Sequence, residues 1–421
     1  MITRETSLWH PLAPMGTVKS TEIVIERAEG CYVWDSDGHR LLDAPASLWY
    51  CNIGHGRKEM AQAIARQVEV LETYHTFLRY ANRPALELAE RLVDSARLGT
   101  DAKIVFGSGG SDAIESACKL ARLYWNVLGR PEKQTIIGRD RSYHGLHGFG
   151  TSIGGLRPLR EGFGNLIPDV LRVETNSAEA LETAIGEAGA DTIAAFVAEP
   201  VVGGGGAIFP ADGYLAEAQR ICNENDVLFV ADEVVTGFGR TGEFFASHRF
   251  GIEPDLIAFA KGITSGYVPL GGLVVSGRVA EPFWTDGSTN VFRHGVTYAG
   301  HATACAAGLA NLEILERERL IPHVRELEPV LIAAVEQLRD HPAVAEVRCG
   351  AGLIAGVRLA DPSLGPAVAE RIYADGVIPR LIGDADVLQI SPPFVINEEE
   401  LRSIADVFTS ALDSVSASAV V

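Results

Sequence analysis

Three polar side chains follow directly on short apolar runs in the middle of the chain: Glu199 after 194–198, Asp232 after 228–231, and Lys261 after 257–260. In open α/β sheets, ligands bind beyond the carboxyl ends of the strands, so these positions are the first places to look for a site. A lysine entering an apolar pocket is disfavoured as the ammonium ion, and its free amine is a nucleophile suited to forming a Schiff base with a carbonyl. A nearby carboxylate has a complementary use: in pyridoxal chemistry it keeps the ring nitrogen protonated and makes the ring a better electron sink, a task that suits Asp232. Lysines and aspartates at strand ends also form ion pairs and helix caps, and spacing alone leaves both uses open.

A fourth feature concerns an anion. The segment Phe106-Gly107-Ser108-Gly109-Gly110-Ser111-Asp112 falls where a strand should meet a helix. Exposed N–H groups and the helix dipole at such a junction attract phosphate; glycine lets the backbone approach closely and serine adds a hydroxyl donor. Gly107 and Gly109 also invite a dinucleotide-binding reading, as in a nicotinamide oxidoreductase. The complete G-x-G-x-x-G pattern is missing, however, and no first-strand position supports it.

These residues require an α/β scaffold. From about 101 to 276 short apolar runs alternate with helical patterns, which predicts a mostly parallel sheet with crossover helices. The strand candidates are 103–106, 135–138, 193–198, 227–231, 256–260 and 272–275, with helices over 112–127 and 213–225 between them. Before this core, residues 30–38 alternate apolar and polar and turn at Asp37-Gly38, which reads as a hairpin, and 60–71 is helical. After His301 come helices over 302–319 and 329–339, short strands around 352–359 and 387–390, and a last helix from Glu398. Both chain ends are therefore expected to build one small domain from 1–58 and 311–421, flanking a large domain over 59–310. No fixed-period repeat or low-complexity linker suggests a further module.

Bulk properties narrow the function. A chain of 421 residues has ample core for a buried cofactor, and 47% hydrophobic with 22% charged residues is ordinary for a globular protein. A formal charge of -19, with no basic run to offset it, excludes nucleic acid and anionic membranes as expected partners. The six cysteines (Cys31, Cys51, Cys118, Cys222, Cys305, Cys349) form no CxxC pair, so neither a metal site nor a disulfide framework is expected and a reducing compartment fits best. The first twelve residues lack an apolar leader core and no stretch is long enough to span a bilayer, which reads as cytoplasmic.

The segment Asp232-Glu233-Val234-Val235-Thr236-Gly237-Phe238-Gly239-Arg240-Thr241-Gly242 closely resembles the signature of the class III pyridoxal-phosphate aminotransferases. The likeness continues through Ala260-Lys261-Gly262-Ile263-Thr264-Ser265-Gly266 and His294-Gly295-Val296-Thr297-Tyr298-Ala299-Gly300-His301, and reaches from Leu48-Trp49-Tyr50 to Ile390-Ser391-Pro392-Pro393. The resemblance implies fold type I: a large domain with a mixed, mostly parallel sheet, a smaller α+β domain from both termini, and a homodimer with shared active sites. It further implies that Lys261 is the Schiff-base lysine and proton shuttle, that Asp232 partners the pyridinium nitrogen, and that Gly110 and Ser111 hold the phosphate. Tyr143 and Val234 would cover the two faces of the ring, Thr297 would reach the phosphate from the other subunit, and Glu199 would support the site without touching substrate. The family usually has serine where Gly109 stands, so one phosphate hydrogen bond is expected to be missing and cofactor retention weaker.

Family members that use glutamate or ornithine typically place a glutamate where this chain has Gly204, in Val201-Val202-Gly203-Gly204-Gly205-Gly206. The run is instead similar to the amine:pyruvate, or ω-transaminase, branch. Arg380 matches the flexible arginine that swings in to hold a carboxylate, a task suited to its planar two-point fork. Trp49, with Leu48 and Tyr50, resembles an apolar wall of the substrate pocket. The expected reaction is ping-pong transamination between a primary amine or ω-amino acid and a keto acid or aldehyde, the cofactor alternating between pyridoxal and pyridoxamine 5′-phosphate. The same family also hosts aminomutases, decarboxylases, racemases and lyases, so the scaffold specifies the cofactor more firmly than the reaction.

Overall fold

The computed structural model describes residues 6–383 and 386–419; positions 1–5, 384, 385, 420 and 421, at the edges of or within the expected 1–58 and 311–421 segments, lie outside the described residues. At the amino end, β1 (Ile25–Glu29), β2 (Tyr32–Asp35) and β3 (Arg40–Leu42) form an antiparallel sheet. The expected hairpin is β2–β3, turning through Asp37-Gly38 with Gly38 at φ +86° and the Asp35 carboxylate accepting the Asp37 and His39 N–H groups.

The central sheet contains β4 (Lys103–Gly107), β5 (Thr135–Arg139), β6 (Val170–Val173), β7 (Ile193–Ala198), β8 (Leu228–Asp232), β9 (Leu256–Phe259) and β10 (Gly271–Val275). Its order is β4-β10-β9-β8-β7-β5-β6, with β10 antiparallel to both neighbours and every other pair parallel. Strands β7 to β10 are buried throughout, as helices on both faces require, and so read as continuous apolar runs. The edge strand β6, absent from the sequence reading, is fully buried only at Val173 and carries no such run.

The longest helices are α1 (Lys58–Leu71), α2 (Arg83–Ala96), α3 (Gly110–Val127), α4 (Ala178–Ala188), α5 (Tyr214–Glu224), α6 (Ala302–Arg317), α7 (Leu320–Glu336), α8 (Gly365–Ala374) and α9 (Glu398–Ala419). The expected helix 302–319 is α6, while the expected 329–339 is corrected here. The chain breaks at Arg319, which takes φ +54°, and α7 begins at Leu320 with Pro329 inside it rather than at its start. Proline suits a first turn, which makes it a misleading start signal when packing carries the helix through. No helix among the described residues is long and apolar enough to cross a membrane.

A second antiparallel sheet near the carboxyl end has β11 (Val344–Cys349), β12 (Ala355–Leu359), β13 (Leu381–Ile382) and β14 (Val387–Ile390) in the order β11-β12-β14-β13. One face, with Val347, Val357, Leu388 and Ile390, joins a core shared with Cys31 and Leu42 from the amino end. The other faces the glycine run: Arg348 donates to the Gly206 carbonyl at 2.8 Å, and a Cβ on Gly356 would lie 3.1 Å from that of Ala207. The two chain ends also meet directly, with Leu42 and Val377 in a parallel bridge.

Candidate active site

Strands β7, β8 and β9 are adjacent and parallel, so the residues that leave their carboxyl ends converge. Asp232 closes β8 in register with Ala258, and Lys261 follows just beyond the same end of β9. Lys261 sits at φ +49°, a conformation uncommon outside glycine, and its Nζ lies 5.3 Å from the centroid of the Trp49 ring. Burial brings its amine down to about 8; the Asp232 and Glu199 carboxylates oppose that shift and the Arg380 charge adds to it.

Asp232 is buried, and its two oxygens are held separately. Oδ1 accepts the Val234 N–H at 3.1 Å, while Oδ2 accepts from His144 Nδ1 at 2.7 Å, a contact that fixes the proton of a neutral imidazole on Nδ1. The other ring nitrogen, Nε2, is buried without a partner among the described residues. Sequence reasoning assigned no role to His144; its one available signal was its place beside Tyr143. Glu199 is enclosed and receives the Tyr143 N–H at 2.9 Å and the Gly203 N–H at 2.8 Å, so it ties the Tyr143 loop to the glycine run. Burial raises the Glu199 carboxyl, His144 counters that and Asp232 reinforces it.

At the anion end, α3 starts at Gly110 with Gly109 preceding it in extended backbone at φ 178°. A Cβ on Gly110 would lie 2.8 Å from Val234 Cγ1, so no side chain fits there without displacing Val234. Ser111 Oγ accepts the Leu146 N–H at 3.2 Å, and Gly145, at φ +81°, presses directly on Ser111. The Asp112 carboxylate turns back to accept the Ser108 N–H at 2.8 Å, closing the loop ahead of the helix. Tyr143 is half-buried beside Gly204, where a Cβ would come within 2.8 Å of its own Cβ. A side-chain-free helix terminus, a carboxylate held by a histidine, an amine of lowered basicity and a tyrosine and valine on separate loops fit pyridoxal phosphate, a flat cation-forming ring with a phosphate and an aldehyde.

Trp49 lies in a stretch where Ala46, Ser47 and Trp49 all have positive φ (46°, 58° and 62°), anchored by the Asp43 carboxylate accepting the Ser47 N–H with both oxygens. Its ring is buried against Ile382, Val387 and Val235, and the Arg380 guanidinium stacks 3.9 Å from the ring centroid. Lys261 and Arg380 therefore share one indole. Neither Arg380 Nε nor Trp49 Nε1 has a partner among the described residues, and burial lowers the Arg380 guanidinium to about 10. Leu48 is exposed, and the Tyr50 hydroxyl accepts from Ser47 Oγ at 2.6 Å. Thr297 stands apart: it is exposed in the loop before α6 and makes no side-chain hydrogen bond among the described residues.

Residues 15–412 match the family model described as aminotransferase class-III. The chain is 38% identical to a putrescine–pyruvate aminotransferase of Pseudomonas aeruginosa, over 94% of this chain and 91% of that protein. It is 39% identical to a diaminobutyrate–2-oxoglutarate transaminase of Halomonas elongata, over 90% and 88% respectively. Among solved structures it is similar to a thermostable (S)-enantioselective ω-transaminase from Thermomicrobium roseum, with a TM-score of 0.92, 37% identity and 96% of each chain covered.

Proposed function

Because this chain belongs to the class III aminotransferases, and so to the pyridoxal-phosphate-dependent transaminases, we propose that it moves an amino group from an apolar or ω-amine donor to pyruvate, as an ω-transaminase. Bound pyridoxal phosphate supplies the carbonyl that receives the amino group and a ring that spreads the electrons freed at the substrate carbon. The N–H groups at the start of α3, with Gly110 and Ser111, bind its phosphate. Tyr143 and Val234 cover the ring faces, and Asp232, oriented by His144, keeps a proton on the ring nitrogen. With the cofactor bound, Lys261 would take the proton from the substrate carbon and deliver it to the former carbonyl carbon two atoms along; an amine near 8 is able to do both around neutral pH. Glu199 holds the Tyr143 loop from behind.

The partner loop carrying Thr297 completes the phosphate site in a homodimer. The exposure of Thr297 and of the neighbouring Tyr298, 63% accessible in one chain, supports that assembly. Six free cysteines support a cytoplasmic setting. We further assign 59–310 to the cofactor-binding domain and the two flanking segments to the small one.

The observation that carries the choice of pyruvate is the contact between Gly204 and Tyr143, which leaves no space for the glutamate of glutamate-using relatives. The test is to supply the holoenzyme with an amine such as putrescine and either pyruvate or 2-oxoglutarate. Faster formation of alanine than of glutamate is expected, and the reverse order would overturn the assignment.

A further inference from the structure

Trp49 stands on a stretch of backbone that would not hold its shape alone. Ala46, Ser47 and Trp49 take φ values of +46°, +58° and +62°. Ser47 combines its positive φ with ψ −92°, outside the regions that a residue with a side chain adopts freely. No glycine relieves the run, which reads Ala46-Ser47-Leu48-Trp49. Backbone strained in this way persists only where the surroundings over-determine it.

A buried carboxylate four residues upstream supplies the restraint. Both oxygens of Asp43 accept the Ser47 N–H, at 2.9 and 2.8 Å, and Oδ2 also accepts from His55 Nε2 at 2.7 Å. His55 is fixed in turn by an exchange of backbone hydrogen bonds with Gly30. Its N–H donates to the Gly30 carbonyl at 2.9 Å, and the Gly30 N–H donates to its carbonyl at 3.1 Å. The imidazole is thus a post anchored at the end of the amino-terminal sheet. Ser47 and His55 are the donors to the Asp43 carboxylate among the described residues. Without the imidazole a buried charge keeps one donor, and a half-satisfied carboxylate is a poor restraint on strained backbone.

At the other end of this chain of contacts the Trp49 ring packs on Val235, Ile382 and Val387, with the Lys261 amine and the Arg380 guanidinium against it. We propose that Asp43 and His55 are positioning residues for the reaction: through the Ser47 N–H they hold the strained 46–49 stretch and so place the Trp49 indole against Arg380 and Lys261. The inference rests on the reading of Trp49 as a wall of the substrate pocket. Both residues act through Trp49, so their loss falls on the binding of the acceptor more than on turnover.

The test uses the holoenzyme in a cycle of the parent, His55→Leu, Trp49→Leu and the double variant. At saturating amine, His55→Leu is expected to raise KM for pyruvate about fivefold with kcat changed less than about twofold. In the Trp49→Leu background the same change should add less than about twofold, since no indole is left to position. His55→Gln, whose amide can donate to Asp43, should return KM to within about twofold of the parent. Near-ultraviolet circular dichroism gives a readout independent of turnover: the signal lost on Trp49→Leu belongs to the fixed indole, and it should fall by about half or more when His55 is leucine. Asp43→Asn keeps the size of the side chain, is the safer for folding, and should move KM and dichroism in the same directions. An undiminished indole signal, or an equal rise in KM with and without Trp49, overturns the proposal. If Trp49→Leu raises KM and neither His55→Leu nor Asp43→Asn does, the positioning role alone is refuted; if Trp49→Leu too leaves KM unchanged, the reading of Trp49 fails and this one with it.

Discussion

The Arg380 guanidinium lies 3.9 Å from the centroid of the Trp49 ring, the same ring that has the Lys261 amine 5.3 Å away. The indole thus sets where the positive charge waits. Replacing it by an aliphatic group removes a cation–π contact of roughly 0.5–2 kcal/mol. Trp49→Leu is expected to raise KM for pyruvate about fivefold with a smaller change in kcat, read by steady-state kinetics at a saturating amine.

The buried pair of Asp232 and His144 gives a second expectation. Deleting the imidazole leaves the Asp232 carboxylate with the Val234 N–H as its one hydrogen bond among the described residues. His144→Leu should lower stability by about 2 kcal/mol, measured by denaturant unfolding. Asp232→Asn keeps the shape and removes the charge, and should slow the half-reaction with amine about a hundredfold or more, with the fold intact by circular dichroism.

The Lys261 amine predicts a pH dependence. Lowered from 10.5 to about 8, it is mostly protonated below that pH and mostly free above it. Capture of added pyridoxal phosphate by the apoprotein, followed by absorbance, should accelerate about tenfold per pH unit up to a plateau beginning near pH 8. Asp232 and Glu199 stabilise the ammonium form and Arg380 opposes it. The midpoint should therefore move to lower pH in Asp232→Asn and to higher pH in Arg380→Leu. Shifts of the same sign in both variants would contradict the electrostatic account.

Gly109 offers a gain rather than a loss. Its φ of 178° suits any residue, nothing lies within 4 Å of a Cβ placed there, and it caps the helix proposed above to bind the phosphate. Gly109→Ser should tighten the cofactor dissociation constant about fivefold by adding a hydroxyl donor, and raise the stability of the apoprotein by a few tenths of a kcal/mol at most (about 0.3). An unchanged dissociation constant would mean that the backbone already satisfies the phosphate.

Thr297 is tested by mixing. If it serves the neighbouring subunit, inactive Lys261→Ala protein and weakened Thr297→Ala protein should form mixed dimers in which one site has both residues intact. Activity at limiting cofactor should then exceed the sum of the separate proteins after subunit exchange. A strictly additive result, with exchange verified by mass, would place Thr297 outside the partner's site.

Much of the scaffold was legible because its central strands are buried on both faces and so leave continuous apolar runs, as at 193–198 and 256–259. Lys261, Asp232 and Glu199 were legible for the same reason: a polar residue directly after such a run stands out. The edge strand Val170–Val173 was not, since a half-exposed strand lacks the run. Pro329 misled by its residue type, because packing carries α7 past it. His144 left no signal beyond its place beside Tyr143. Its significance comes from a neighbour 88 residues away in the chain, Asp232, which only the folded arrangement brings opposite it.

The contact between Gly204 and Tyr143 also bears on how such a chain can change over generations. A single codon change from glycine to glutamate at 204 would introduce the side chain that glutamate-using relatives carry, but it would arrive where the Tyr143 Cβ already stands, 2.8 Å from the new Cβ. A Cβ on Gly205 beside it would run into the Arg141 carbonyl, so that position too tolerates no side chain without a shift of its neighbours. On the acceptor reading proposed above, a change of acceptor through this position requires the loop that holds Tyr143 to shift as well.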